Sequence, residues 1–138
     1  FFLIQMGIKT FTKQVTSAKT SVDPSEKALH QLAVGTKNFV QFQDVMTMIW
    51  KRLSSPDKEY LGIQKALYCL HYLLLHGSEQ VITESRVHQP EISTLTSFHS
   101  PIAQPDNGSI IRDRAHDVMK LLNNEEELKR KRAELAGQ

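Results

Sequence analysis

The chain has 138 residues and a mass of 15.7 kDa, with 40% hydrophobic and 23% charged residues, which is typical of one soluble globular domain. Its single cysteine, Cys69, excludes a disulfide framework and fits a reducing compartment such as the cytosol. The net charge of +2 identifies no partner, but residues 1–76 carry nine Lys and Arg against five Asp and Glu, a weak indication of an anionic partner.

The N-terminal segment has the pattern of a short basic amphipathic helix. Its apolar face is formed by Ile4, Ile8, Phe11 and Val15. Lys9 and Lys13 lie roughly opposite, so a membrane surface would bury the apolar side while the lysines meet anionic headgroups. A frayed arm and a helix packed on the domain are the alternatives. The opening FFLIQ is too short for a signal-peptide core, and we expect Met6 to be the natural start, with residues 1–5 added before it.

Two helices are predicted after a polar joint that ends near residue 22. The pair Asp23-Pro24 is read as a helix start with proline at the first position, and this helix runs over about 25–37. Asn38 is expected to cap the next helix, which covers 39–53. The run Ser54-Ser55-Pro56-Asp57 then breaks the helical pattern.

Residues 60–77 predict the helix around which the rest of the chain packs. Nearly every side of this helix is apolar, as expected of a buried helix, and at roughly 16 residues its apolar part is shorter than the roughly 20 needed to cross a bilayer. Its first turns keep a polar edge at Lys58, Gly62 and Lys65. Because Arg52 ends the preceding helix, we expect Arg52, Lys58 and Lys65 to converge on one side of a helix hairpin.

The C-terminal half predicts shorter helices joined by tight turns. The predicted elements are a helix capped by Ser78 and ending near His88, a helix from Pro90, a surface loop over 99–108, a helix capped by Ser109 and ending at Leu122, and a charged helix over 125–136. No strand-like alternation survives scrutiny. The sequence therefore predicts an all-α fold, an α-solenoid of seven to eight short helices plus an amphipathic N-terminal segment.

The sequence carries no recognised catalytic or metal-binding motif. The six histidines and one cysteine form no zinc pattern, and the sequence has no phosphate-cradling glycine loop, nucleophile elbow or metalloprotease signature. A small basic patch without interleaved aromatic residues does not support nucleic-acid binding. We therefore expect a protein that is not an enzyme, with no cofactor, no metal site and no nucleic-acid partner.

Two stretches carry a resemblance to a known family. FVQFQDVMTMIWKRL over 39–53 and LGIQKALYCLHYLLLHGSEQV over 61–81 resemble the epsin N-terminal homology (ENTH) domain, which has an MxMIWKRL-type helix and a KAL-type central helix ending in a Gly-Ser-Glu turn. The later helix start at 106–112 and the EEELKRKRAEL ending are also similar to the family. The resemblance spans roughly residues 24–136.

The resemblance implies a membrane adaptor. Residues 23–138 would form a helical domain that binds phosphoinositide headgroups, chiefly phosphatidylinositol 4,5-bisphosphate, and residues 6–22 would form a membrane-binding segment and joint. The protein would be cytoplasmic and peripheral on the plasma membrane, on clathrin-coated pits or on endosomal or Golgi vesicles. It would reach the clathrin coat machinery through regions outside this chain.

The resemblance also assigns individual residues. The headgroup-binding cations fall on Arg52, Lys58, Lys65, Lys9 and Lys13, and the membrane-inserting side chains on Ile8, Phe11 and Val15. Cationic side chains suit a bisphosphate because each forms charge-assisted hydrogen bonds to phosphate oxygens.

Two departures from the family pattern favour another interpretation. The family's Val-Arg-Glu-Ala-Thr stretch reads VTSAK over 15–19, so a headgroup arginine is missing unless Lys19 substitutes for it. A headgroup histidine of the family is replaced by Gly62. The alternative function is a helical protein-interaction domain that docks a SNARE or cargo partner and binds little lipid.

Overall fold

The computed structural model describes residues 7–138. The predicted additions at residues 1–5, with Ile4 among them, and the expected start at Met6 lie outside the described residues. The described residues form eight α-helices and one 3-10 turn: α1 Ile8–Val15, α2 Glu26–Gly35, α3 Phe39–Leu53, the 3-10 turn Asp57–Glu59, α4 Tyr60–His76, α5 Glu79–Val87, α6 Gln89–Leu95, α7 Ser109–Asn123 and α8 Glu125–Ala136. The prediction of an all-α fold built from short helices is confirmed.

The helix α4 is the centre of the core. Its residues Ile63, Leu67, Leu70 and Leu73 are buried, and it packs against α2, α3, α5, α7 and α8. An apolar sequence on every side demands such a position, because each face of the helix needs a partner that excludes water. In the part of the chain that the structure describes, no helix is both long enough and apolar enough to span a membrane.

Two of the predicted helix starts need correction. The helix α2 begins at Glu26 instead of Pro24, because Ser25 is its N-cap and the Ser25 hydroxyl accepts a hydrogen bond from the Ala28 N–H at 3.1 Å. Ser109 is the first residue of α7, and the cap position belongs to Gly108, whose φ of 94° is in the left-handed region that glycine adopts without strain.

Two predicted caps stand at their expected positions. Asn38 is the N-cap of α3, and its side-chain oxygen accepts hydrogen bonds from the N–H groups of Val40 and Gln41. Ser78 is at the N-cap position of α5, but its hydroxyl makes no capping hydrogen bond. Instead, the Ser78 backbone N–H donates to Thr36 Oγ1 at 3.0 Å, which ties the start of α5 to the end of α2.

The apolar face of α1 is turned towards the core. Ile8, Phe11 and Val15 are half-buried and pack against core residues, and α1 lies on α2 and α3. Gly35 at the end of α2 makes room for this contact, since a Cβ at that position would lie 3.3 Å from Ile8 Cδ1. Membrane insertion of Ile8, Phe11 and Val15 therefore does not fit the packed position of α1: it would require α1 to leave the domain, and it stays a prediction.

Candidate functional site: a basic cleft beside the central helix

A cleft of about 540 Å³ lies where the C-terminal ends of α1 and α3 meet the first turns of α4. We call it the basic cleft, and its lining residues are Thr10, Lys13, Gln14, Ser17, Lys19, Thr20, Arg52 and Lys65. Basic side chains and polar groups dominate this lining, and no lining residue is acidic. The joint between α1 and α2 forms one wall, so the position of this irregular segment decides the shape of the cleft.

Arg52 joins the end of α3 to the last turn of α1. Its Nε donates to Thr16 Oγ1 at 3.0 Å, and its Nη2 donates to the carbonyl oxygen of Lys13 at 2.8 Å. A guanidinium carries five N–H donors, and the contacts found among residues 7–138 use two of them. Arg52 therefore braces α1 and still has donors for an anion in the cleft.

Lys65 makes the corresponding link from α4 to the joint. Its Nζ donates to the carbonyl oxygen of Ser17 at 2.7 Å and to Thr20 Oγ1 at 3.1 Å. The side chain is only 4% exposed, and this burial is the main cause that lowers the pKa of Lys65, with the positive charge of Arg52 acting in the same direction. A phosphate in the cleft would oppose that shift, because a nearby negative charge favours the protonated amine.

Asp23 carries a carboxylate whose charge acts on Lys65, but this carboxylate does not line the basic cleft. Both of its oxygens accept hydrogen bonds from Arg114 of α7, at 3.0 and 2.7 Å, and Arg114 also donates to the carbonyl oxygen of Gln64 at 2.9 Å. Asp23 does act to raise the pKa of Lys65. Since Arg114 offsets its charge, the cleft keeps a positive character.

The structure brings together three of the five predicted headgroup cations. Arg52, Lys65 and Lys13 line the basic cleft, together with Lys19, which the sequence comparison offered as a substitute for the missing family arginine. Lys58 is exposed in the 3-10 turn and is not among the lining residues, and Lys9 is exposed on α1 outside the cleft. Of the three residues expected to converge, Arg52 and Lys65 therefore line one cleft, and Lys58 does not.

The polar lining of the joint was missed by sequence reasoning. Thr10 and Gln14 lie on the same side of α1 as Lys13, at helical spacing, and this signal was available in the sequence. Ser17 and Thr20 belong to irregular backbone, where no periodicity indicates which way a side chain points. Gly62, at the position where the resemblance implies a histidine, lies under the joint, since a Cβ there would be 3.2 Å from the Thr16 carbonyl oxygen.

The basic and polar lining of the cleft suits binding of a polyanion. Within residues 7–138, no group of three or more His, Cys, Asp or Glu side chains is placed to hold a metal ion. Cys69 is buried, and burial raises the pKa of its thiol to about 12, so it is not a nucleophile at neutral pH. The basic cleft therefore remains the best candidate site in the described chain.

Comparison with known proteins gives the same picture over almost the whole chain. The family model described as "ENTH domain" matches residues 6–128. Clathrin interactor EPSIN 1 of Arabidopsis thaliana is 38% identical over 108 residues, which cover 76% of this chain and 19% of that protein. Epsin-2 of Homo sapiens is 36% identical over 112 residues, covering 80% of this chain and 18% of that protein. The chain therefore spans about a fifth of the length of these two relatives.

A solved structure is similar to this fold and offers a view of a related site. The ENTH domain from epsin-2 in complex with phosphatidylinositol 4,5-bisphosphate is 32% identical, with a TM-score of 0.86, and the match covers 93% of this chain and 90% of that one.

Proposed function

The chain belongs to the ENTH domain family, and we propose that its basic cleft binds the phosphorylated headgroup of a phosphoinositide and so recruits the protein to a membrane. Phosphatidylinositol 4,5-bisphosphate is the first candidate, because the similar ENTH domain from epsin-2 forms a complex with that lipid. The domain itself would be a non-enzymatic adaptor, binding and positioning without chemical change.

One observation carries this proposal. Lys13, Lys19, Arg52 and Lys65 reach one cleft from α1, the joint, α3 and α4, and no carboxylate lines it. Each cation forms charge-assisted hydrogen bonds with phosphate oxygens, and guanidinium does so in a planar fork. The hydroxyl groups of Thr10 and Thr20 add polar contacts for the inositol ring.

We propose that Lys9 and Lys58 attract the membrane surface without binding a particular headgroup. Both are exposed and lie outside the lining of the basic cleft. A lysine near an anionic membrane surface contributes roughly 1 kcal/mol by electrostatic attraction without contacting a particular headgroup. We assign Lys9 and Lys58 to this general attraction, and insertion of Ile8, Phe11 and Val15 to a later step in which α1 detaches.

The wider role follows from the family. The relatives are epsins and clathrin interactors by name, and we propose that this domain works in clathrin-mediated endocytosis or vesicle trafficking. The plasma membrane with its coated pits, and endosomal or Golgi vesicles, are the proposed locations. The clathrin coat machinery would be met through regions of the protein outside this chain.

The test is co-sedimentation with vesicles that contain or lack a few per cent phosphatidylinositol bisphosphate. Arg52 braces α1 and Lys65 holds the joint, so replacing them would change the fold as well as the cleft. Lys13→Glu and Lys19→Glu are cleaner, because both side chains are exposed. The matched control is Lys120→Glu on α7, which makes the same charge change at an exposed lysine outside the cleft.

We expect the parent chain and the Lys120→Glu variant to pellet only with the bisphosphate vesicles, and each of the single variants Lys13→Glu and Lys19→Glu to pellet less with them. Pelleting at low salt that depends on net charge alone, with the control variant equally impaired, would contradict a specific site. Low salt matters because screening weakens exposed charge interactions.

The second candidate function is docking of a SNARE or cargo partner with little lipid binding. It is favoured because Arg52 and Lys65 of the basic cleft already donate hydrogen bonds to protein atoms. Arg52 and Lys65 each spend two donors on the α1 end and the joint, so both have a structural role without any lipid. Under this reading, bisphosphate vesicles would leave the parent chain in the supernatant even at low salt.

A further inference from the structure

A second groove runs along the exposed edge of α4, with α2 on one side and α7 and α8 on the other. It joins two cavities, of about 340 and about 420 Å³, which share Tyr72 and Leu75 as lining residues. We call this surface, which lies over Tyr68, Tyr72, Leu75 and His76, the α4 groove. The two cavities are neighbours along α4, because both contact these shared side chains.

The floor of the α4 groove is apolar. Tyr68 is 37% exposed, and Tyr72 and Leu75 are partly exposed although both touch the core. Val34 on the α2 wall is 53% exposed. Apolar surface of this kind, framed by polar residues, is a common feature of surfaces that meet another protein.

One end of the α4 groove is basic. His30, Lys37, His76 and Arg132 line it from α2, the α2–α3 turn, α4 and α8, and Glu79 is the one carboxylate among its lining residues. Within residues 7–138, the side chains of His30 and Lys37 make no hydrogen bond or ion pair. We call these four residues the basic end, and among them Lys37 is an exposed cation that the described fold does not use.

Arg132 is fixed at the basic end by the backbone. Its Nη1 donates to the Leu74 carbonyl oxygen and its Nη2 to the Gly77 carbonyl oxygen, both at 2.6 Å. Ser78, beside Gly77, has a buried hydroxyl oxygen without a hydrogen-bond partner in the described chain. A guanidinium that is already held in place loses little entropy when a ligand arrives.

We propose that the α4 groove docks a short peptide segment of a partner protein, with acidic side chains at the basic end and an apolar side chain over Tyr72 and Leu75. The basic end favours acidic side chains in the partner because opposite charges attract. The apolar floor favours a peptide that also carries an apolar side chain over a purely ionic ligand. A groove of this length accommodates an extended segment or one face of a short helix.

The α4 groove and the basic cleft are separate sites on one helix. Lys65 in the cleft and His76 at the basic end are eleven residues apart, which corresponds to about 16 Å along the axis of α4. One domain would therefore hold a membrane headgroup and a partner peptide at the same time. The docking proposal does not depend on lipid binding in the cleft.

Acidic pH strengthens the expected interaction. Burial is the main cause that lowers the pKa of His76, and Arg132, His30 and Lys37 lower it further, while Glu26 opposes them. Glu79 and Tyr72 complete the polar groups around this end. His76 is therefore neutral at neutral pH, and its protonation in acid adds a positive charge that attracts carboxylates.

The experiment measures fluorescence anisotropy with a panel of labelled peptides of about ten residues that combine glutamates with leucines. Matched peptides carry glutamine in place of glutamate, or serine in place of leucine. The variants are Lys37→Glu at the basic end and Lys19→Glu in the basic cleft, which change the net charge equally at two exposed lysines. Vesicle co-sedimentation of the same variants gives the reciprocal readout.

We expect the acidic–apolar peptides to bind, Lys37→Glu to weaken binding roughly three- to tenfold, and Lys19→Glu to leave it unchanged. We also expect tighter binding in acid, once His76 is protonated, than at neutral pH, and vesicle binding unaffected by Lys37→Glu. The proposal is overturned if no acidic–apolar peptide in the panel binds, if the glutamine peptides bind as well, or if both variants weaken binding equally.

Discussion

Gly62 on α4 lies against the backbone carbonyl of Thr16, so closely that a Cβ on residue 62 would stand 3.2 Å from that oxygen. The same Cβ would also meet Ala18 Cβ and Arg52 Cδ, both at 3.7 Å. This contact lets the joint lie flat on α4, where Lys65 reaches Ser17 and Thr20. The residue that departs from the family histidine is thus a packing element of the basic cleft.

Replacing Gly62 by histidine should destabilise the domain by about 1–3 kcal/mol, because the side chain beyond Cβ must displace residues 16–18. Urea unfolding measures the loss. Gly62→Ala is the matched control: its Cβ needs a shift of a few tenths of an ångström, and alanine gains about 1 kcal/mol of helix propensity over glycine, so the two effects nearly cancel. A histidine variant as stable as the parent would show that the joint does not rest on Gly62.

Phe11 tests whether the apolar face of α1 packs on the domain or enters a membrane. Phe11 packs against the core, so Phe11→Ser should lower the free energy of unfolding by roughly 1.5–2.5 kcal/mol, about half the loss for a fully buried phenylalanine. The exposed Lys9→Ser on the same helix is the control and should leave stability nearly unchanged. The measurements are urea unfolding and vesicle co-sedimentation.

If Phe11 instead served only to enter a membrane, the Phe11→Ser variant would keep its stability and lose vesicle binding. Loss of both properties together would indicate that α1 packs in solution and detaches on the membrane. The third result, lost stability with vesicle binding retained, would remove Phe11 from the insertion prediction.

The pair of Asp23 and Arg114 fixes the joint from the opposite side. Arg114→Lys should cost about 1–2 kcal/mol, because a single ammonium replaces neither the two-point contact with Asp23 nor the bond to Gln64, and solvent near the partly exposed carboxylate limits the loss. A double-mutant cycle with Asp23→Asn measures the coupling. Additive effects of the two substitutions would show that the contact contributes no coupling energy.

The sequence predicted the helices and the core well, because these depend on periodic apolar residues. It also located Arg52 and Lys65, which end one helix and begin the next. Lys58 was placed with them because an uninterrupted helix was assumed, whereas α4 begins at Tyr60 and Lys58 lies in a 3-10 turn with a different rotation per residue.

The direction of the α1 face could not be predicted from its pattern. An apolar stripe at Ile8, Phe11 and Val15 looks the same whether it faces a membrane or a core. The deciding feature is Gly35, which lies more than twenty residues away and gives Ile8 its space. The contributions of Ser17 and Thr20 to the cleft depend on irregular backbone, for which the sequence has no periodic signal.

The histidine His71 should make the stability of the domain depend on pH. Burial is the main cause that lowers its pKa below the ordinary 6.5, with Lys131 acting in the same direction and Asp117 opposing. The unfolded chain therefore binds a proton at His71 more readily than the folded chain, and the free energy of unfolding should fall as pH drops through about 6.5.

Urea unfolding between about pH 5 and 8 measures this dependence, and His71→Gln serves as the comparison because glutamine does not titrate. We expect the free energy of unfolding to fall less steeply in acid for the variant than for the parent. This difference in slope should vanish above the ordinary histidine pKa. Parallel curves for the two proteins across this range would mean that His71 titrates alike in the folded and unfolded chains, and that the acid sensitivity comes from other groups.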